Sequence, residues 1–216
     1  MKISILLPFF FGNSTSIRMI SIGEELRKKG HLVEYSSFGR LLGNKKTDAI
    51  AHGRYVNFQL RNPFLFVWNW LHFLFYLRKF DVIYLSKTFI RDVLVVLSIN
   101  FFLRKKLFVD IDDWDGVGGS ATLNTKLGPF MRSLETFFEE YLPTKAYLTT
   151  TASVILNERV RGMGAKNVVY LPNGADTKMF RPDIDGSAIR ARYKLKGKKV
   201  IVYLGFLWRR ESGIQL

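Results

Sequence analysis

Val168-Val169-Tyr170-Leu171-Pro172-Asn173-Gly174-Ala175-Asp176, with Phe180-Arg181-Pro182 just beyond, is the stretch that decides the fold. Residues 168–171 are an apolar, β-branched run of the kind that fills a buried strand. Pro172 has no N–H to give a sheet ladder, so the strand stops there. Asn173-Gly174 tolerates positive φ and allows a sharp turn. Asp176 is placed to cap a helical turn over 177–180, and Pro182 discourages its continuation.

Working outward, the chain alternates between strand-like and helix-like segments. Strands are predicted over 3–9, 32–36, 82–85, 107–111, 146–150 and 168–171. Helices are predicted over 16–29, 90–102, 126–141 (bounded by Pro143) and 155–163. This βα alternation predicts an α/β fold, a doubly wound, Rossmann-like parallel sheet with helices on both faces. Ligands of such sheets bind outside the carboxyl ends of the strands. The loops after Phe10, Leu85, Ile111, Thr151 and Leu171 are therefore where chemistry is expected.

Composition narrows the partners. The 216 residues carry a net charge of +15 with pI about 10.1, and no cysteine. A disulfide framework, a thiol nucleophile and a thiolate metal site are excluded. The charge asks for anionic partners. Its basic residues fall in small clusters, at 27–29, 45–46, 104–106, 194–199 and 209–210, with no helix-turn-helix, zinc spacing or RNP-like strand, so nucleic acid is not the expected partner. Clusters of this kind beside aromatic segments suit an anionic membrane surface. The amino-terminal run has no small-residue cleavage site and reads as a strand rather than a signal peptide. The expected location is cytoplasmic, peripheral on the membrane.

The apolar run over 63–77 contains seven aromatic residues, among them Trp68 and Trp70. It is short for a membrane span and is interrupted by Asn69 and His72. Burial against the sheet and interfacial membrane contact both remain open for it. For 93–103, which lies between two strands, the favoured reading is a packed crossover helix.

Candidate chemistry is sparse. Gly12-Asn13-Ser14-Thr15 follows the first strand, where small residues let a ligand approach the backbone. It matches neither the dinucleotide fingerprint nor a P-loop. Asp110-Ile111-Asp112-Asp113-Trp114-Asp115-Gly116 is the most acidic patch of a basic chain and sits at a strand exit. Strand alternation would put Asp110 and Asp112 on one side and Asp113 opposite. Carboxylates this close need a cation, a proton or hydrogen bonds. Asp112 and Asp113 are the candidates for chemistry here, and a loop capped by its own Asp side chains is the other reading. Glu135, Glu139 and Glu140 read as a solvated or salt-bridged helix face. None of His31, His52 or His72 has a partner at metal spacing, and no metal site is assigned.

The string Pro-Asn-Gly-x-Asp followed by Phe and x-Pro resembles the interdomain signature of glycosyltransferase family 4, which has the two-domain GT-B fold. The opening at 2–10 with Gly12, the Lys29-Gly30-His31 turn, Thr150-Thr151-Ala152-Ser153, and Lys199-Val200-Ile201-Val202-Tyr203-Leu204-Gly205 are similar to the family in the same order. The resemblance implies an acceptor-side domain over 1–181, a linker over 182–198, and over 199–216 the first strand and loop of a donor-binding domain whose remainder is missing. It implies retaining transfer from a nucleotide-sugar donor to a hydroxyl acceptor, with no cofactor and no metal. Given the charge and the aromatics, the acceptor is expected to be lipid-linked or membrane-borne.

The resemblance also implies a cleft lined by Gly12, Asn13, Asn173, Gly174 and Gly205. Family members place an Arg after the last of these glycines and a Lys a few residues on. Here Phe206 and Ser212 stand near those positions, and Arg209 and Arg210 are the cations left to meet the donor diphosphate. Many members have a histidine near the exit that carries Asp112 and Asp113 here, so the histidine's role does not carry over, and Asp112 and Asp113 are the catalytic candidates at that point, for orienting an acceptor hydroxyl. Two alternatives stand beside this reading. One is a non-catalytic membrane-surface module derived from such an enzyme. The other is a metal-dependent GT-A-like transferase using Asp110 and Asp112. On the main reading the isolated chain is expected to show no sugar transfer and at best weak donor affinity.

Overall fold

Apolar β-branched runs separated by amphipathic helices give a six-stranded sheet whose strands are all parallel. The computed structural model describes residues 1–7, 14–37, 63–88, 96–119 and 128–203. It divides into two units, Met1–Asn173 and Gly174–Leu216. In the first unit the elements are β1 (Lys2–Leu7), α1 (Ser14–Lys28), β2 (Leu32–Ser37), α2 (Pro63–Leu77), β3 (Val82–Leu85), a π-helical turn (Ile99–Leu103), β4 (Lys106–Ile111), α3 (Pro129–Lys145), β5 (Leu148–Thr151), α4 (Val154–Gly162) and β6 (Val168–Tyr170).

The strand order is β2-β1-β3-β4-β5-β6. The order reverses at β1, and ligands of such sheets bind outside the carboxyl ends of the strands at that reversal, here β1 and β3. The register pairs Leu6 with Leu85, Leu85 with Val109, and Val109 with Thr149, so the carboxyl ends of the central strands line up along one edge.

The two sheet faces are covered unequally. Ile3, Ile5, Leu7, Val33, Tyr35, Val82 and Tyr84 pack with Met19 of α1 on one face. Leu6, Ile83, Leu85, Leu107, Val109 and Ile111 pack on the other, with Phe73, Leu74 and Leu77 of α2, Val96, Ile99, Leu142 of α3, and Leu156 and Val160 of α4. Helices therefore lie on both faces, as the alternation predicts.

Local signals account for the element ends. Gly30, at φ +84°, closes α1 in a left-handed turn, with the His31 N–H donating to the Leu26 carbonyl at 3.1 Å. Ser153 caps α4, its Oγ accepting the Leu156 N–H at 3.2 Å. Pro129 occupies the first turn of α3, where its missing N–H costs nothing.

Pro143 does not bound that helix: α3 runs through it to Lys145. Only the bond to one carbonyl in the last turn is lost, and Leu142 and Pro143 are both buried, so packing outweighs the local preference.

In the second unit Asp176 caps its turn as expected, Oδ1 accepting the Lys178 and Met179 N–H groups at 2.9 and 3.3 Å. The short helix α5 (Ser187–Arg192) follows. Residues 199–203 form no strand, although the sequence predicts one there, and Ile201 is fully exposed. A strand needs a ladder partner, and none is described in this unit. Gly12, Asn13, Gly205, Arg209 and Arg210 lie outside the described residues, as does His52.

Candidate functional site

The carboxyl edge of the sheet carries two ionic clusters. The first is built on Asp110, the fifth residue of β4, fully buried. Arg18, one turn into α1, donates to it from Nε to Oδ2 at 2.9 Å and from Nη2 to Oδ1 at 3.0 Å. Thr150 Oγ1 donates to the same Oδ1, and Tyr84 Oη lies 2.6 Å from that threonine hydroxyl. Arg18 also donates to the Leu171 carbonyl at 2.8 Å and, from Nη1, to Asn173 Oδ1 at 2.9 Å. One guanidinium thus ties α1, the centre of the sheet and the exit of β6 together.

Burial pushes the Asp110 carboxyl up, against the hydrogen bonds and charge of Arg18 and the bond from Thr150. Burial alone would lower Arg18, but Asp110 outweighs it and holds the guanidinium charged. Burial, then the Asp110 charge, pushes the Tyr84 phenol up, so it stays a neutral hydroxyl.

The second cluster sits just past the carboxyl ends of β3 and β4. Lys87, two residues past β3 and only 6% exposed, places Nζ 2.8 Å from Asp112 Oδ1 and 2.8 Å from Asp115 Oδ2. Burial would lower its pKa, but Asp115 and Asp112 overcome this and hold the ammonium charged. The Asp113 N–H donates to Asp112 Oδ1 at 3.0 Å. Among the described residues no ion pair engages the Asp113 carboxylate, which is exposed at this edge. Partial burial and the Asp112 and Asp115 charges push it up, with Lys87 opposing.

The acidic loop is clamped from below. Glu139 of α3 accepts the Asp115 N–H on Oε1 at 2.8 Å, and Thr136 Oγ1 accepts the Val117 N–H at 2.9 Å. Trp114 donates to the Val117 carbonyl at 3.0 Å, and the Arg159 guanidinium of α4 lies 3.6 Å over its ring. A Cβ at Gly119 would collide with the Trp114 carbonyl, so the loop can close only on glycine there.

Glu139 is 2% exposed, and Oε2 lies against the Gly116 backbone without a well-formed hydrogen bond. Burial raises its pKa to about 7, with the Asp115 N–H bond opposing. The expectation of a solvated helix face is therefore wrong for Glu139, which faces inward beneath the loop. Glu140 is exposed.

The structure brings Asp112, Asp113 and Asn173 to the same edge of the sheet, and Gly174 follows Asn173 as the first residue of the second unit. Strand alternation does not reach Asp112, because β4 ends at Ile111. Asp110 and Asp112 are engaged by different cations, Arg18 and Lys87. Sequence reasoning missed Arg18, Lys87, Thr150, Tyr84 and Glu139. The one readable signal was Lys87, a cation directly past a buried strand in a loop already marked for chemistry.

Comparison with solved structures bears on the fold. HepE of Anabaena, in a complex with UDP and glucose, superposes with a TM-score of 0.66 at 16% identity, covering 90% of this chain and 50% of that one. The fold is that of one half of the GT-B architecture. A glycosyltransferase from Rickettsia africae gives 0.62 at 12% identity, covering 89% and 49%. The UDP-GlcNAc 2-epimerase of Methanocaldococcus jannaschii gives 0.55 at 12%, covering 79% and 45%. The chain spans about half the length of the solved structures it matches. No protein-family model matches the chain, and no curated protein does. Likeness at this identity speaks for the fold, and the fold alone does not fix a reaction.

Proposed function

We propose that this chain is the acceptor-side half of a glycosyltransferase that moves a sugar, with retention of configuration, from a nucleotide-sugar to a hydroxyl acceptor. The observation that carries the reading is the pair of ionic clusters at the carboxyl edge, beside the order reversal, where Arg18 also reaches Asn173. Complexes of HepE with UDP, with UDP and glucose, and with UDP-glucose lend this half-fold a donor class.

In this reading Asp113 orients the acceptor hydroxyl, and Asp112, fixed by Lys87, sets its position. By the family resemblance, donor binding is assigned to Gly12, Asn13, Asn173, Gly174 and Gly205, and the charge that develops on the donor diphosphate to Arg209 and Arg210. No metal is needed, and the acceptor is lipid-linked or membrane-borne.

The test supplies the chain, joined to the second half of its enzyme, with UDP-sugars and a membrane lipid extract. Label should pass from sugar donor to lipid fraction, and Asp113→Asn should lower turnover at least tenfold. Conversion of UDP-GlcNAc to an epimer, with no label transferred, would replace this reading with that of an epimerase.

A further inference from the structure

The helix α2 resolves a question the sequence leaves open. Phe73, Leu74 and Leu77 turn inward and are buried in the core on one sheet face. Val67, Trp68, Leu71 and Phe75 turn outward, Phe75 being 72% exposed. Positions 68, 71 and 75 are a single stripe at helical spacing. The crossover that ends at Leu103 does the same on a smaller scale: Val96 and Ile99 are buried in that same core, while Phe101 is 78% exposed and Phe102 also stands out.

These two helical segments lead into paired strands. One leads into β3 and the other into β4, and both segments pack on the same sheet face. Their outward aromatics therefore belong to one side of the molecule. Scattered exposed apolar residues need no explanation, but a run of large ones on two segments of one face does.

Charge says what covers it. No acidic residue stands between Asp48 and Asp81 or between Asp92 and Asp110, a span that includes both segments. Arg78 and Lys79 follow α2, and Arg104, Lys105 and Lys106 follow the other segment, at the amino-terminal edge of the sheet. The Arg78 guanidinium lies 5.9 Å over the Phe75 ring, and Lys79 is shared with Glu34. A protein partner would need an acidic rim matched to an apolar centre. An anionic bilayer offers both in one surface: Trp and Phe rings suit the headgroup boundary, and cations beside them meet lipid phosphate.

We infer that the outward face of α2 together with Phe101 and Phe102 is a docking surface for an anionic lipid bilayer. Among the described residues no helix is long and apolar enough to cross a membrane, so the contact is interfacial. It lies on a helix-covered face of the sheet, and the cations that follow the two segments stand at the edge opposite the ionic clusters. The inference rests on the glycosyltransferase reading only for what the acceptor is, not for the docking itself.

The test is flotation of the 216-residue chain with vesicles of phosphatidylcholine alone and with one-third phosphatidylglycerol. Binding should favour the anionic vesicles at least tenfold and weaken as salt rises. The variant Trp68→Ser/Phe75→Ser/Phe101→Ser should lose at least tenfold in binding while its unfolding transition stays where it was. Lipids brominated on the acyl chain should quench tryptophan emission, and Trp68→Phe should remove most of that quenching. Equal binding to both vesicles, full binding by the triple variant, or a stable dimer of the free chain that the variant abolishes would each overturn the inference. None of these outcomes touches the sugar-transfer assay, so the two readings fail separately.

Discussion

Arg18 and Asp110 form a two-point ion pair, Nε to Oδ2 at 2.9 Å and Nη2 to Oδ1 at 3.0 Å, across 92 residues of sequence. The carboxylate is fully buried and the guanidinium nearly so. Breaking one side of such a pair leaves a charge with no partner inside the protein. Arg18→Ala should therefore cost about 3–5 kcal/mol in chemical denaturation. The double variant Arg18→Ala/Asp110→Ala should be markedly less destabilised than the sum of its parts. Additive losses would mean that the pair is not coupled.

Lys87 separates two carboxylates that would otherwise repel. Lys87→Met should cost about 3 kcal/mol at neutral pH, because Asp112 and Asp115 lose their shared cation. Urea denaturation of parent and variant reads the loss. A variant as stable as the parent would contradict the arrangement.

Glu139 predicts a pH dependence of opposite sign to an ordinary paired carboxylate. Its pKa is raised from 4.5 to about 7, so the folded state holds the proton more tightly than the unfolded one. The stability it contributes is full below about pH 4.5 and is lost as the pH rises through about 7. Glu139→Gln keeps an acceptor for the Asp115 N–H and removes the titration. The variant should match the parent below about pH 4.5 and exceed it by about 3 kcal/mol above pH 7.5. A variant less stable than the parent at pH 8 would show that the ionised carboxylate holds the loop.

The engagement of Asp110 and Asp112 by separate cations bears on metal use. A chelator should leave sugar transfer by the complete enzyme unchanged. A strict requirement for manganese or magnesium, abolished by Asp112→Ala, would instead favour the metal-dependent reading.

The sheet was legible in the sequence because each buried strand is a short apolar run closed by a turn residue, as at Leu171-Pro172-Asn173. Side-chain networks were not. Arg18, Asp110 and Thr150 meet only once α1, β4 and β5 are folded together, and nothing in their local spacing marks them. Glu139 shares a helix with exposed Glu140, so local charge pattern read both as surface. The placement of α3 under the acidic loop decides between them. Pro143 misled for the same reason, since packing at the last turn of α3 overrides a local preference. The aromatic run of α2 fitted burial and exposure alike because the helix does both.

The central claim is that the carboxyl-edge clusters form the surface on which a nucleotide-sugar and its acceptor meet. Its most direct test is a backbone amide NMR titration of the isotope-labelled chain with millimolar UDP-glucose. Shifts should concentrate at Arg18, Lys87, Asp112 to Asp115 and Asn173, and be lost in Lys87→Met. An unchanged spectrum at these residues, or shifts confined to α2 and the amino-terminal edge of the sheet, would contradict it.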